Sequence, residues 1–459
     1  MATPKFTQAE IEQLRQDARA YHWEHEHNWD PNLEGELPVI IVKGEGNYIY
    51  TVEGERLLDL VAGMECVSVG YGRHELAEVA AQQIDDLSYW CSLIGASIPA
   101  VKLCKKLADI TPGNLRHTFL ISDGSDAVET AMKMARQAQI QAGFPWRYKI
   151  ISRRGCYHGA SSGVMSLEGP GAPINTGAFW DSYVPGGVRH VYNMYCYRCP
   201  FNLEYPSCKL LCADAVEHMI VHENPETVAA VVIDPVAITP SVSVPPPDYL
   251  PRVREICSKY GVLLIFDEVV NGFGRTGKMF ACQHWNVTPD ILCLSKALSS
   301  GYAPIAATIA TDEVFARFQG DGKRLFHHGH TWGGHPVASA IALKNIEIIE
   351  RDHLVENSAA VGAYFLEGLK TLLRHPIVGD VEGIGLLLEL DLVTDKKSKT
   401  PLWGKPRERL TALVRQRGIS MQFGFITPPL TLTKPEVDYA VKVLDECLGL
   451  VEREFNLGQ

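Results

Sequence analysis

The chain has 459 residues, 46% of them hydrophobic and 21% charged, and a formal net charge of −11. That length allows roughly two or three domains around a large core, and an acidic balance without a long basic run argues against nucleic acid and anionic membranes as partners. No apolar stretch approaches the roughly 18 residues of a membrane span. The opening residues are polar and helical in pattern, unlike a signal peptide, and twelve cysteines without a secretory leader read as reduced thiols. The expected compartment is therefore the cytoplasm.

Taken in order, Thr7–Tyr21 carries a helical pattern, followed by a stretch holding His22, His25 and His27. The spacing of these histidines matches no metal site. Strand patterns follow at Pro38–Lys43 and Asn47–Val52, with GEG and EGE turns, and apolar residues recur at helical spacing over Leu76–Leu87 and Ala100–Ile110. From about Arg116 the order becomes strand, loop and helix, repeated: His117–Ile121, then Ser122–Asp126 and a helix from near Ala127, then Tyr148–Ser152, Val228–Ile233, a helix within Pro247–Tyr260, and Val262–Phe266. Such alternation predicts an α/β fold with a mainly parallel sheet covered by helices. A long helix at Val337–Arg351, a second helix, a strand at Gly385–Leu390 and a mixed tail close the chain. The expected domains are an N-terminal arm (1–65) that contributes to a small α+β domain, a large domain (66–335), and the C-terminal part of the small domain (336–459).

Two of these runs end in charge. Val262–Phe266 delivers Asp267, and Ile291–Leu294 delivers Lys296 two residues beyond. Burying a lone carboxylate or ammonium costs several kcal/mol, so either both emerge into solvent as ordinary strand-end residues or both have partners. A pyridine aldehyde cofactor would serve both, with Asp267 facing the ring nitrogen and Lys296 condensing with the aldehyde. Between them, Gly272, Gly274 and Gly277 in NGFGRTG read as a tight loop, not as a dinucleotide fingerprint, because no helix pattern follows.

The segment FDEVVNGFGRTGKMFACQHWNVTPDILCLSKALSSGYAPIAA resembles the signature of the class III pyridoxal-phosphate (PLP) aminotransferases. The resemblance implies the PLP-dependent transferase fold type I and a catalytic pair, Lys296 binding PLP as a Schiff base and Asp267 on the pyridine nitrogen, with Val269 packed on the ring. Gly124 and Ser125, in DGSDA where the family has SGSEA or SGSDA, would hold the phosphate at a helix N-terminus. Asp123 stands where the family has serine and is expected to point away from that phosphate or to pair with a base. Tyr157 of YHG would stack on the other ring face. Thr331 of HTWGGHPVA would reach the phosphate of the neighbouring subunit, so the resemblance implies a homodimer, or a tetramer built from it, with shared sites.

Within the class, the chain resembles the pyruvate-linked omega-transaminases. These include taurine–pyruvate aminotransferase, through CYRCPFNLEYPSC at Cys196–Cys208. The implied reaction moves an amino group from a terminal primary amine, a diamine, polyamine, amino sugar or omega-amino acid, to a keto acid, pyruvate being the expected acceptor, in two half-reactions. Three positions depart from the family. Glu65 replaces an aromatic, Asp234 replaces the glutamate of an EPV motif, and the stretch from Met421 to Thr433, which includes Gln422, holds no arginine. Glu65, Asp234 and Gln422 are thus the candidate substrate residues. A pocket that gains an acid and loses a base favours a diamine, polyamine or amino sugar over taurine, unless Glu65 is a solvated loop residue. Cys196, Cys199, Cys208 and Cys212 could close a zinc site or remain free thiols, the latter being the expectation. Aminomutase or decarboxylase chemistry on the same lysine, taurine–pyruvate transfer, and a non-catalytic PLP- or zinc-binding role stand as alternatives.

Overall fold

The computed structural model describes residues 6–25, 39–169, 186–422 and 424–458. His27, Pro38 and Phe423 lie outside them. Thr7 caps the first helix, Gln8–Tyr21, through a reciprocal bond with Glu10. Three strands follow: β1 (Ile41–Glu45), β2 (Tyr48–Thr51) and β3 (Arg56–Asp59). Strand β3 has no counterpart in the strand patterns read from the sequence.

The central sheet contains β4 (Leu115–Ile121), β5 (Lys149–Arg153), β6 (Val188–Val191), β7 (Val228–Ile233), β8 (Leu263–Asp267), β9 (Ile291–Leu294) and β10 (Ala306–Thr311). Their spatial order is β4-β10-β9-β8-β7-β5-β6. All pairings are parallel except those of β10, which is antiparallel to both neighbours. Because β10 alone is reversed, β4 runs in the direction of β9. The ends of β4, β5, β7, β8 and β9 therefore open on one edge, where open α/β sheets bind ligands.

Both faces of this sheet are buried, and strand alternation sorts them. Leu264, Phe266, Leu292 and Leu294 join one apolar cluster, while Leu263, Ile265, Ile291 and Cys293 join a second with Ala127, Val128 and Ala131 of the helix Gly124–Gln141. Asp267 continues the 263–265–267 face, which puts it on the side of that helix. The helix begins at Gly124, not near Ala127, because Asp123 already serves as its N-cap.

The C-terminal part starts with helices Pro336–Arg351 and Leu354–Lys370. The strand expected at 385–390 starts later, as β12 (Leu387–Asp395), because Gly385 (φ +59°) turns the chain; before that turn lies β11 (Val378–Ile384), which has no counterpart in the strand patterns read from the sequence. Short strands β13 (Thr400–Pro401) and β15 (Phe425–Ile426) add to β12, while β14 (Ile419–Ser420) pairs in parallel with β3 of the N-terminal segment. This last pairing ties the two chain ends into one four-stranded sheet.

Candidate active site

Asp267 and Lys296 both sit at the carboxyl edge of the sheet, and both are partnered. Asp267 is 6% exposed; its Oδ2 lies 2.7 Å from His158 Nδ1 and its Oδ1 accepts from the Val269 N–H at 3.0 Å. Lys296 follows β9 with a positive φ of 36° and points its Nζ at Glu65 Oε2, 2.6 Å away. Glu65 is 7% exposed, so it is not a solvated loop residue. Burial does disfavour the ammonium, but Glu65, with smaller help from Cys66 and Tyr157, outweighs it and raises the Lys296 pKa.

The edge after β4 is shaped by close backbone approach. A Cβ on Gly124 would lie 2.9 Å from Val269 Cγ1 and 3.7 Å from Ser295 Cβ, so glycine there lets the helix start against the valine. Gly159 (φ +132°) presses on Ser125 in the same way, and Ser125 Oγ accepts from the Ala160 N–H at 3.1 Å. Asp123 turns back on its own helix, accepting from the Asp126 N–H at 3.0 Å. Contrary to the expectation that it points away, its carboxylate caps the helix start itself.

The remaining candidates are placed as follows. Tyr157 is half-buried after β5, close enough to Lys296 to act on its charge. Thr331 is exposed on the chain's surface, its carbonyl accepting from the Tyr89 hydroxyl at 2.7 Å, while the adjacent Trp332 packs edge-on against Tyr89. Asp234 is 4% exposed, and its carboxylate is engaged by Arg153 and by the Ile238 N–H at 3.2 Å. Gln422 is exposed at a bridge with Phe425. Of the three candidate substrate residues, only Glu65 contacts Lys296.

Three participants escaped the sequence reading. His158 was visible only as the middle of YHG. Asp59, at the end of β3, carries the turn that leads to Glu65. Arg275 of NGFGRTG is wholly buried: its Nη1 donates to the carbonyls of Leu386 (3.0 Å) and Pro428 (2.5 Å), and its Nε and Nη2 have no hydrogen-bond partner. Burial brings its pKa down to about 10 against the pull of Glu65, Cys66 and Asp59. The glycine loop thus places a buried cation within electrostatic reach of Glu65, bonded to backbone carbonyls.

Among the described residues no group of three or more His, Cys, Asp or Glu side chains is arranged to hold a metal. Cys196, Cys199, Cys208 and Cys212 are free thiols lining one cavity with Phe201 and Pro246.

An α/β sheet whose carboxyl edge gathers an amine, a carboxylate, an aromatic ring and the glycine start of a helix defines an enzyme site of the kind that grips a phosphorylated pyridine. These residues fit PLP by their chemistry: the amine can condense with its aldehyde, the carboxylate can face its ring nitrogen, and the helix start can take its phosphate. The class III aminotransferase family model matches residues 31–448. The chain belongs to the class III aminotransferases, which are PLP-dependent enzymes. It is 36% identical to taurine–pyruvate aminotransferase of Bilophila wadsworthia, over 96% of this chain and 97% of that one. It is 35% identical to putrescine–pyruvate aminotransferase of Pseudomonas aeruginosa, over 89% and 91%. A thermostable (S)-enantioselective omega-transaminase from Thermomicrobium roseum superposes with a TM-score of 0.91 at 37% identity, over 98% and 99% of the two chains.

Proposed function

We propose that this aminotransferase takes its amino group from a terminal primary amine bearing a second cationic or polyhydroxyl group, a diamine, polyamine or amino sugar, and passes it to pyruvate. The observation that carries the donor class is the Glu65 carboxylate, buried beside the reactive amine. A like charge about 4 Å from a carboxylate costs on the order of 1–4 kcal/mol across the range from water to a protein surface, so a sulfonate or carboxylate donor is disfavoured and a cationic one favoured. Pyruvate as acceptor is supported by the names of the putrescine and taurine relatives.

When bound, PLP supplies an electron sink for the carbanion formed at the amine-bearing carbon. Lys296 would hold it and afterwards move a proton at that carbon. Asp267, with His158 behind it, would face the ring nitrogen, Tyr157 and Val269 would flank the ring, and Gly124 and Ser125 would present N–H groups to the phosphate. The exposed Thr331 would complete that phosphate site across a homodimer.

The test is donor profiling with pyruvate as acceptor. Wild type is expected to favour putrescine over taurine in kcat/KM, and Glu65→Gln to reduce that ratio by about 10-fold, equivalent to 1.4 kcal/mol. An unchanged ratio, or a wild-type preference for taurine, would sink the donor assignment while leaving the aminotransferase chemistry intact.

A further inference from the structure

The segment that brings Glu65 to Lys296 is held in an unusual conformation. Ala62, Gly63, Met64 and Glu65 all have left-handed backbones, with φ of +50°, +54°, +68° and +57°. Glycine adopts this freely, but each of the other three residues costs about 1–2 kcal/mol. Strain of this kind persists only where the surroundings impose it. Here Asp59 imposes it: Oδ1 accepts from the Val61 N–H at 2.9 Å, and Oδ2 accepts from the Gly63 N–H at 3.0 Å and the Tyr71 hydroxyl at 2.6 Å. The turn closes with the Glu65 N–H donating to the Val61 carbonyl at 2.7 Å.

What this strained turn achieves is one contact, Glu65 Oε2 to Lys296 Nζ at 2.6 Å. The buried Arg275 guanidinium, two of whose nitrogens lack hydrogen-bond partners, has Glu65 as its leading counter-charge. A residue meant only to read the far end of a donor would not need to touch the reacting nitrogen. Any primary amine also arrives at neutral pH as an ammonium ion and must shed a proton before it can attack.

We propose that Glu65 is a catalytic residue that holds the ammonium ion beside it and takes the proton of the donor nitrogen as that nitrogen becomes nucleophilic, with Asp59 as the positioning residue of the turn. In the cofactor-free protein that ammonium is the lysine's own; once the lysine is bonded to the cofactor, it is the incoming donor's. For the donor, one N–H bond breaks, its electron pair stays on nitrogen as the attacking lone pair, and an O–H bond forms on the Glu65 carboxylate. The inference rests on the aminotransferase reading but not on the class of donor.

The experiment starts from cofactor-free protein, with reductive methylation of Lys296 followed by mass spectrometry at pH 8. Glu65→Gln is expected to speed labelling of Lys296 by about 10-fold or more, one unit of pKa being a factor of ten in neutral amine, and Asp59→Asn to speed it less. With PLP bound, kcat/KM for an amine donor should be nearly flat from pH 7 to 9 in wild type but climb about tenfold per pH unit in Glu65→Gln, which must await neutral amine from solution. Equal labelling rates, or parallel pH profiles, overturn the proposal. If Glu65→Gln does not fold, wild-type Lys296 labelling no slower than surface lysines overturns it equally. Donor preference is a separate readout, so the donor class and this role can fail independently.

Discussion

His158 Nδ1 lies 2.7 Å from Asp267 Oδ2, and neither side chain is more than 7% exposed. Burial opposes an imidazolium, yet Cys156 and the bond and charge of Asp267 together raise His158 well above its ordinary value. The positive ring sits behind the carboxylate that would face the cofactor nitrogen, and breaking one partner of such a buried pair costs about 3–5 kcal/mol.

The first prediction follows from that pair. His158→Asn should lower kcat by about 10–100-fold, or 1.4–2.7 kcal/mol of barrier, and weaken cofactor retention. Since the folded pKa exceeds the unfolded one, the stabilisation is full below about pH 6.5 and declines as pH rises towards the folded value. The Tm gap between wild type and variant should be widest near pH 6 and shrink by pH 9. A gap that is constant across this range would contradict the assignment.

Lys296→Ala should remove both turnover and the visible absorbance that PLP shows when covalently held. Retention of either by the purified variant would refute its role.

Gly124 and Val269 make a two-residue test. Gly124→Ala would set a methyl 2.9 Å from Val269 Cγ1, displacing either the helix N-terminus or the valine that lines the ring site. PLP affinity should fall by about 10-fold, and adding Val269→Ala, which removes the obstructing methyls, should recover part of it. The double-mutant coupling should be at least about 0.5 kcal/mol; simple additivity would show that the two do not share the site.

Away from the site, β11 and β12 set Asp380 opposite Asp391 and Glu382 opposite Glu389, and like charges directly opposite destabilise a sheet. Burial, with Asp391 adding to it, pushes Glu389 up to about 8, although Ser241 and the Val242 N–H favour its charged form; burial pushes Glu382 up to about 7. A carboxyl whose pKa is higher folded than unfolded binds its proton preferentially in the native state. Stability therefore falls as pH climbs from about 4.5 to 8. Glu389→Gln keeps an acceptor for Ser241 and Val242 but cannot ionise, so it should melt above wild type at pH 8.5, by about 1 °C per kcal/mol relieved, and not at pH 5. A variant less stable at both pH values would contradict this.

Much of the architecture was legible because its signals are local. The continuous apolar runs at Val262–Phe266 and Ile291–Leu294 have the length of strands buried on both faces, and the helical pattern over Thr7–Tyr21 is the helix Gln8–Tyr21. Errors fell where a single residue changes the chain's path. Gly385 turns the chain where a strand was expected to begin, with β11 unforeseen before it, and Asp123 started a helix three residues early by capping it. Neither outcome is encoded in apolar periodicity, since one depends on a left-handed turn and the other on a side chain bonding back to the backbone.

The sequence by itself placed Asp267 and Lys296 at strand ends, through the apolar runs before them, while the expected roles of Tyr157, Val269, Gly124 and Ser125 came from its resemblance to the class III aminotransferases. Only the tertiary structure decided what surrounds them. Glu65 meets Lys296 across 231 residues of chain, His158 meets Asp267 across 109, and the buried Arg275 cation answers Glu65 from a loop of its own. Charges that look isolated along the chain are partnered in the fold. Electrostatic pairing depends on distance through space, and neither hydrophobic pattern nor local spacing carries that distance.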